Sequence, residues 1–393
     1  MNSFEKENKP PSADATLPDV DDLSLELAEL ATKTALNGHV EQARQVFAKV
    51  TNSTTNSQVL FLAFQFYDGI GNLAKAEEML ERWLVLSGRD INSADTAAAL
   101  GNLGLIHRKR GELDRAEELH QESLAIEEKL GRLEGMAKQY GNLGLVYSTR
   151  NELDRAEEMH QKALAIYEKI GCQKGMAINY GNLGLIYWAQ GELNRAKAMH
   201  QRSLALYERL DSQKGMACEL GNLGNIYWKR GELDRAEEMH QKSLAIEEKL
   251  GQQEGMACDY GNLGLIYRAR SELDRAKAMF QRSLAIFEKL GHQEHMSKQH
   301  DNLGLTYLMR GELDRAEEMF QKALTIAENI GLPEGMAKAY SNLGIIAEER
   351  DKVDLARDLW VKARDLYAKI AMPQKVKEKQ DWLDDLPPAE AVE

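Results

Sequence analysis

The tripeptide Asn-Leu-Gly occurs seven times at a spacing of 40 residues, with Asn102, Asn142, Asn182, Asn222, Asn262, Asn302 and Asn342 in register. A period of this length rules out an ordinary single core. Each copy must build the same local unit and bury its apolar face on its neighbours. The octapeptide YGNLGLIY at 180–187 returns unchanged at 260–267 and as YGNLGLVY at 140–147, and looser copies start at Leu100, Leu220, His300 and Tyr340. Leu and Gly have obvious packing uses. A polar amide kept in every copy does not, and it needs another explanation.

Each copy has two blocks with helical spacing of apolar residues. In the first, Met176, Tyr180, Leu183, Gly184 and Tyr187 fall on one face; in the second, Leu233, Ala236, His240, Ser243 and Leu244 do so. Gly191 or its equivalent separates the two helices, and Gly171, Gly251 or Gly291 ends the second as a C′ glycine does. No strand pattern is present. Gly104 to Gly344 and Ala116 to Ala356 recur in all seven copies. Glycine inside a helix costs roughly 1 kcal/mol relative to alanine, so its retention implies closely apposed helices.

Tyr180, Leu183, Gly184, Tyr187, Gly191 and Ala196 match the tetratricopeptide signature in order and spacing. The aromatic four residues after Ala196 is His200 here, but Phe280, Phe320 and Trp360 in later copies; Glu208 stands where the signature closes with Pro. The standard repeat has about 34 residues, so each unit is longer here. The long form resembles the repeats of Pins/LGN-type polarity adaptors and, more loosely, of kinesin light chain. Two degenerate copies come first, with Gly38, Ala43 and Phe47, and then Tyr67, Gly71, Ala76 and Leu80, at signature positions. The resemblance implies an all-α chain, an alpha-alpha superhelix (a tetratricopeptide solenoid) of about nine helical hairpins. The expected layout is an acidic disordered tail at 1–21, two degenerate units at 22–96, seven 40-residue units at 97–370, and a capping helix and tail at 371–393.

At about 100° per residue, Tyr180, Leu183 and Tyr187 face the partner helix, and Ile178, Asn182, Leu185 and Ala189 lie opposite. In this family that side of the first helix lines a concave groove, as the resemblance implies. Asn142, Asn182, Asn222, Asn262 and Asn302 then form a ladder with rungs on the order of 10 Å apart. An amide offers both a donor and an acceptor, and so suits the backbone of a bound peptide. The alternative is that each Asn bonds to a neighbouring repeat. Leu185 and Leu265 belong to an apolar row interrupted by Asn225, and Trp188 and Trp228 supply aromatic anchors of the kind enriched in binding hot spots. Trp packing against the next repeat is the rival reading.

Net charge is −13, which argues against generic binding to a nucleic acid backbone. Yet the groove side carries Arg108, Lys109, Lys138, Lys229, Arg268, Lys298 and Lys338 against only Asp301, Glu348 and Glu349. A basic, apolar stripe fits an acidic protein or peptide with apolar anchors. The chain's own DVDDLSLEL and DWLDDL segments have that composition, so they could occupy the groove; the rival reading is that both are capping helices. The other acidic residues read as solvated helix faces with nothing to perturb them.

Cys172, Cys218 and Cys258 form no CxxC pair, which suits a reducing, cytoplasmic compartment. No stretch approaches the length of a membrane span. His120, His160, His200 and His240 recur at 40-residue spacing in the core-aromatic register, too far apart to share a metal. No phosphate loop, HExxH or GxSxG motif is present, so the expectation is no catalytic residue, metal or cofactor. The sequence therefore points to a non-catalytic scaffold or adaptor that holds a partner's segment. The alternative is a regulatory sensor subunit whose groove closes on a ligand or on its own acidic tail.

Overall fold

A computed structural model describes residues 20–52, 54–86 and 93–387. Its helices fall into two compact units. The first holds α1 (Val20–Leu36), α2 (Val40–Val50), α3 (Ser57–Gly69), α4 (Leu73–Leu86), α5 (Ala94–Lys109), α6 (Leu113–Lys129), α7 (Leu133–Thr149) and α8 (Leu153–Ile170). The second holds α9 (Gln173–Ala189), α10 (Leu193–Arg209), α11 (Gln213–Lys229), α12 (Leu233–Leu250), α13 (Gln253–Ala269) and α14 (Leu273–Leu290). It continues with α15 (Gln293–Met309), α16 (Leu313–Ile330), α17 (Pro333–Glu349), α18 (Val353–Lys369) and α19 (Pro373–Asp385). No strand occurs among the described residues.

The helices pair as hairpins, α1 with α2 through α17 with α18. The turn inside a hairpin is set by one residue in the left-handed region: Gly191 has φ 79°, and Asn151 and Ser271 take φ 61° and 60° at the same phase. There the amide of Glu192 bonds back to the Tyr187 carbonyl at 2.8 Å and that of Gly191 to the Trp188 carbonyl at 3.0 Å, which closes the helix in a Schellman arrangement.

Within a hairpin the helices approach over small residues. Ala196, Ala236 and Ala276 are fully buried. A Cβ placed on Gly184 would lie 2.5 Å from His200 Nε2, and one on Gly264 would lie 2.6 Å from the Phe280 ring. The recurrent histidines thus fill the aromatic slot of the core, and the glycine opposite makes room for them. Serine ties the pair together: Ser203 Oγ donates to the Ala177 carbonyl at 2.8 Å, and Ser243 Oγ to the Ala217 carbonyl at 3.0 Å. In the sixth long copy the roles exchange, with Ser297 of α15 donating to the Ala323 carbonyl of α16 at 2.9 Å.

Within each unit most successive hairpins stack through the second helix of one and the first helix of the next, as α4 on α5, α6 on α7 and α10 on α11 do, whereas the first two meet through α1 and α3. In the second unit, consecutive first helices also touch one another, α11 with α13, α13 with α15 and α15 with α17. Arginine just after several first helices reaches back to the previous second helix: Arg150 bonds Glu117 and Asp114, and Arg270 bonds Glu237 and, at 2.6 Å, Asp234. The stack ends on α19, which begins at Pro373 and seats Trp382 5.1 Å from Trp360, with Leu383 and Leu386 buried beside it. The DWLDDL segment therefore caps α18, in a cluster against which Ile345 also packs. Of the acidic N-terminal segment, residues up to Asp19 lie outside the described residues, and the remainder forms α1.

Candidate ligand-binding face

The exposed side of the first helices carries the candidate residues. In the second unit, Leu185 is 50 % exposed, Trp228 40 % and Ile178 44 %. Trp188 and Leu265 are half-buried, and Lys229, Lys298 and Lys338 are exposed. These side chains lie on the flank away from the paired second helix, because Leu183, Ile186 and Tyr187 take the buried flank. In the first unit, Asn142 and Arg108 are half-buried and Lys138 is exposed.

The asparagines divide by environment. Asn182 and Asn262 are half-buried and make no side-chain hydrogen bond among the described residues. Asn142 Nδ2 donates to Gln139 Oε1 at 3.5 Å, and Asn222 Nδ2 lies 3.9 Å from Cys218 Sγ, both within one helix. Asn302 is 7 % exposed, and Arg268 Nη1 donates to its side-chain oxygen at 3.2 Å and its carbonyl at 3.3 Å, joining α13 to α15. Asn342 Nδ2 donates to Asp301 Oδ1 at 2.6 Å, joining α15 to α17. The amide thus serves the neighbouring repeat at the C-terminal end of the row and is open in its middle.

Two of the cations differ in character. Arg268 sits with its guanidinium 5.5 Å from the Phe280 ring centroid, and burial lowers its pKa from the ordinary arginine range. Lys338 pairs with Glu334 at 2.6 Å on its own helix. The exposed Cys218 and Cys258 are free, and desolvation raises both thiol pKa values, so neither is a thiolate at neutral pH.

The expectation that every acid lies on an exposed, unperturbed face fails at a buried row. Glu219 and Asp259 are buried, His200 Nδ1 lies 2.6 Å from Glu219 Oε2, and His240 Nδ1 lies 2.9 Å from Asp259 Oδ1. Gln139 does the same for His120 at 3.0 Å. Burial holds the His120 pKa down to about 4, Gln139 pulls it up, and Arg108 and Lys138 push it further down. Each pair links a second helix to the next first helix. The signal was present as a polar residue 19 positions after each histidine, at a phase that otherwise faces the core. Asp301 and Glu247 depart as well: desolvation raises both carboxyl pKa values, at Asp301 against Asn342, Lys338 and Arg268. Among the described residues no cluster of His, Cys, Asp or Glu could hold a metal ion. No described helix is long and apolar enough to cross a membrane.

Comparison with known proteins places this geometry. The fold resembles the tetratricopeptide repeat sensor of a STAND protein (Signal Transduction ATPase with Numerous Domains) from Pyrococcus horikoshii, at TM-score 0.69 and 16 % identity, over 93 % of this chain and 56 % of that one. It also resembles the quorum sensor NprR from B. thuringiensis, at TM-score 0.64 and 14 % identity, over 88 % of this chain and 99 % of that one. A tetratricopeptide repeat protein from Parabacteroides merdae aligns at TM-score 0.53 and 19 % identity, over 73 % of this chain and 99 % of that one. At these identities the likeness is one of fold. No curated protein matches the sequence. The tetratricopeptide repeat family model matches residues 53–129, 95–169, 136–209, 215–289 and 295–369, most of the chain. The chain belongs to the tetratricopeptide repeat family.

Proposed function

We propose that this protein is a non-catalytic interaction scaffold that holds an extended, acidic segment of a partner protein on the first-helix face of its second unit. The observation that carries the reading is the pairing of large apolar side chains kept in water, Leu185 and Trp228, with the open amides of Asn182 and Asn262 on the same flank. Apolar anchors supply binding energy and amides hold a peptide backbone without reading its side chains. Lys229, next to Trp228 on α11, favours an acidic ligand.

The test is a peptide-display selection on the wild type and on a variant with Leu185→Ala, Trp228→Ala, Asn182→Ala and Asn222→Ala. Peptides rich in Asp, Glu and Leu that are lost from a variant of unchanged helicity support the reading. Peptides retained by both would move the site elsewhere. A second reading is a sensor whose hairpins rearrange on ligand binding; it draws support from the fold shared with the quorum sensor NprR. A selected peptide that changes the solution-scattering profile would favour it, and an unchanged profile would leave the scaffold.

A further inference from the structure

We propose that Asp301 is a built-in occupant of the anion position at the C-terminal end of this face, so that α15 and α17 turn acidic ligand groups away. The inference depends on the proposed function only for where the ligand lies.

At the phase of Asp301, five copies carry glycine: Gly101, Gly141, Gly181, Gly221 and Gly261. At Gly101, Gly181 and Gly261 the large polar residue of the following hairpin leaves little room for a side chain. A Cβ on Gly181 would lie 2.7 Å from Glu219 Oε1, and one on Gly261 would lie 3.2 Å from Gln299 Nε2. For Asp301 the following residue is Ala339, which is buried. The side-chain volume has moved from α17 to α15, and the carboxylate fits because its neighbour shrank. Asp301 is therefore matched to its surroundings rather than a stray substitution.

Its carboxylate lines a cleft of about 380 Å³ together with Arg268, Lys298, Lys338 and Asn302. It accepts from the Asn342 amide at 2.6 Å. Arg268 is engaged by Asn302 at 3.2 Å. The last rung of the asparagine row thus faces an acid the chain supplies itself, in a cleft that also holds Arg268, Lys298 and Lys338. An acidic ligand group entering here would meet a like charge in a confined, partly desolvated space. The acidic part of a ligand must then lie toward α9, α11 and α13, which gives the face a direction.

The probe is a fluorescein-labelled peptide of alternating Glu and Leu, read by fluorescence anisotropy at low ionic strength. Asp301→Gly restores the residue of five other copies and is expected to bind about tenfold tighter than the wild type. Asp301→Asn, which keeps the volume, should show a smaller gain in the same direction. The gain should vanish when Lys298→Ala and Lys338→Ala are added. Equal affinity of both Asp301 variants and the wild type, or a gain that survives loss of the two lysines, overturns the inference. Binding by Asp301→Gly alone would uphold it while removing the acidic ligand from the proposed function. Equal binding by all would do the reverse, and no binding by any would overturn the inference.

Discussion

At the scale of single residues, the buried histidines show how one slot in a repeat tolerates different chemistry. His120 occupies the position of Phe280 and Phe320, and its ring is fully buried. Its pKa lies near 4 in the folded chain, below the ordinary value of 6.5. The unfolded chain therefore binds this proton first as pH falls. The stability due to a neutral His120 is complete above about pH 6.5 and is lost progressively toward pH 4. That loss is on the order of 3 kcal/mol. His120→Phe should remove it, so wild type and variant should diverge by that amount between pH 7 and 4 in urea unfolding. Glu219 sets a second test. Glu219→Ala leaves His200 Nδ1 without its partner at 2.6 Å, while Ser203 keeps the Ala177 carbonyl, and should cost about 3 kcal/mol. Glu219→Gln reproduces the His120–Gln139 pairing and should cost less than about 1 kcal/mol. Equal losses in the two Glu219 variants would show that the pairing contributes little.

At the scale of the element, each first helix has two jobs on opposite flanks. The flank of Leu183, Ile186 and Tyr187 is buried and holds the hairpin together. The flank of Leu185 and Ile178 is exposed, and the stack does not need it. Leu185→Ala with Trp228→Ala should therefore shift the unfolding free energy by less than about 1 kcal/mol while lowering affinity for selected peptides at least about tenfold. Gly184→Ala is the opposite case. Helix propensity favours alanine by roughly 1 kcal/mol, yet the new Cβ would press on the His200 ring at 2.5 Å. Overpacking typically costs about 1–3 kcal/mol, so a net loss of stability is expected by denaturant titration, and a net gain would show that α9 and α10 can separate freely.

At the scale of the molecule, stability in a repeat array is a sum of unit and interface terms, and its ends carry special weight. The second unit ends on α19, whose Trp382, Leu383 and Leu386 cover Trp360. Deleting residues 373–393 should expose that face and destabilise the second unit by about 3 kcal/mol, from the apolar side chains returned to water. Intrinsic fluorescence of Trp360 should shift to the red. A truncated chain with unchanged stability and a gain in peptide affinity would instead mean that the segment masks the ligand face.

The hairpins, their turns and the small residues between paired helices were legible in the sequence, because each is a local requirement repeated at a fixed period. Asn-Leu-Gly, the Gly191 turn and the Ala196 contact are set by helix geometry and backbone sterics, which residues near in the chain fully specify. The aromatic register of the histidines followed from the same phase argument. The binding of Asn302 by Arg268, the seating of Asp301 on Asn342 and the burial of Glu219 against His200 were not legible. Each joins residues between 19 and 41 positions apart across two hairpins. Periodicity assigns a side chain to a flank of its helix. Only the packing of one hairpin on the next decides whether a polar group on that flank meets water, a ligand or a neighbour.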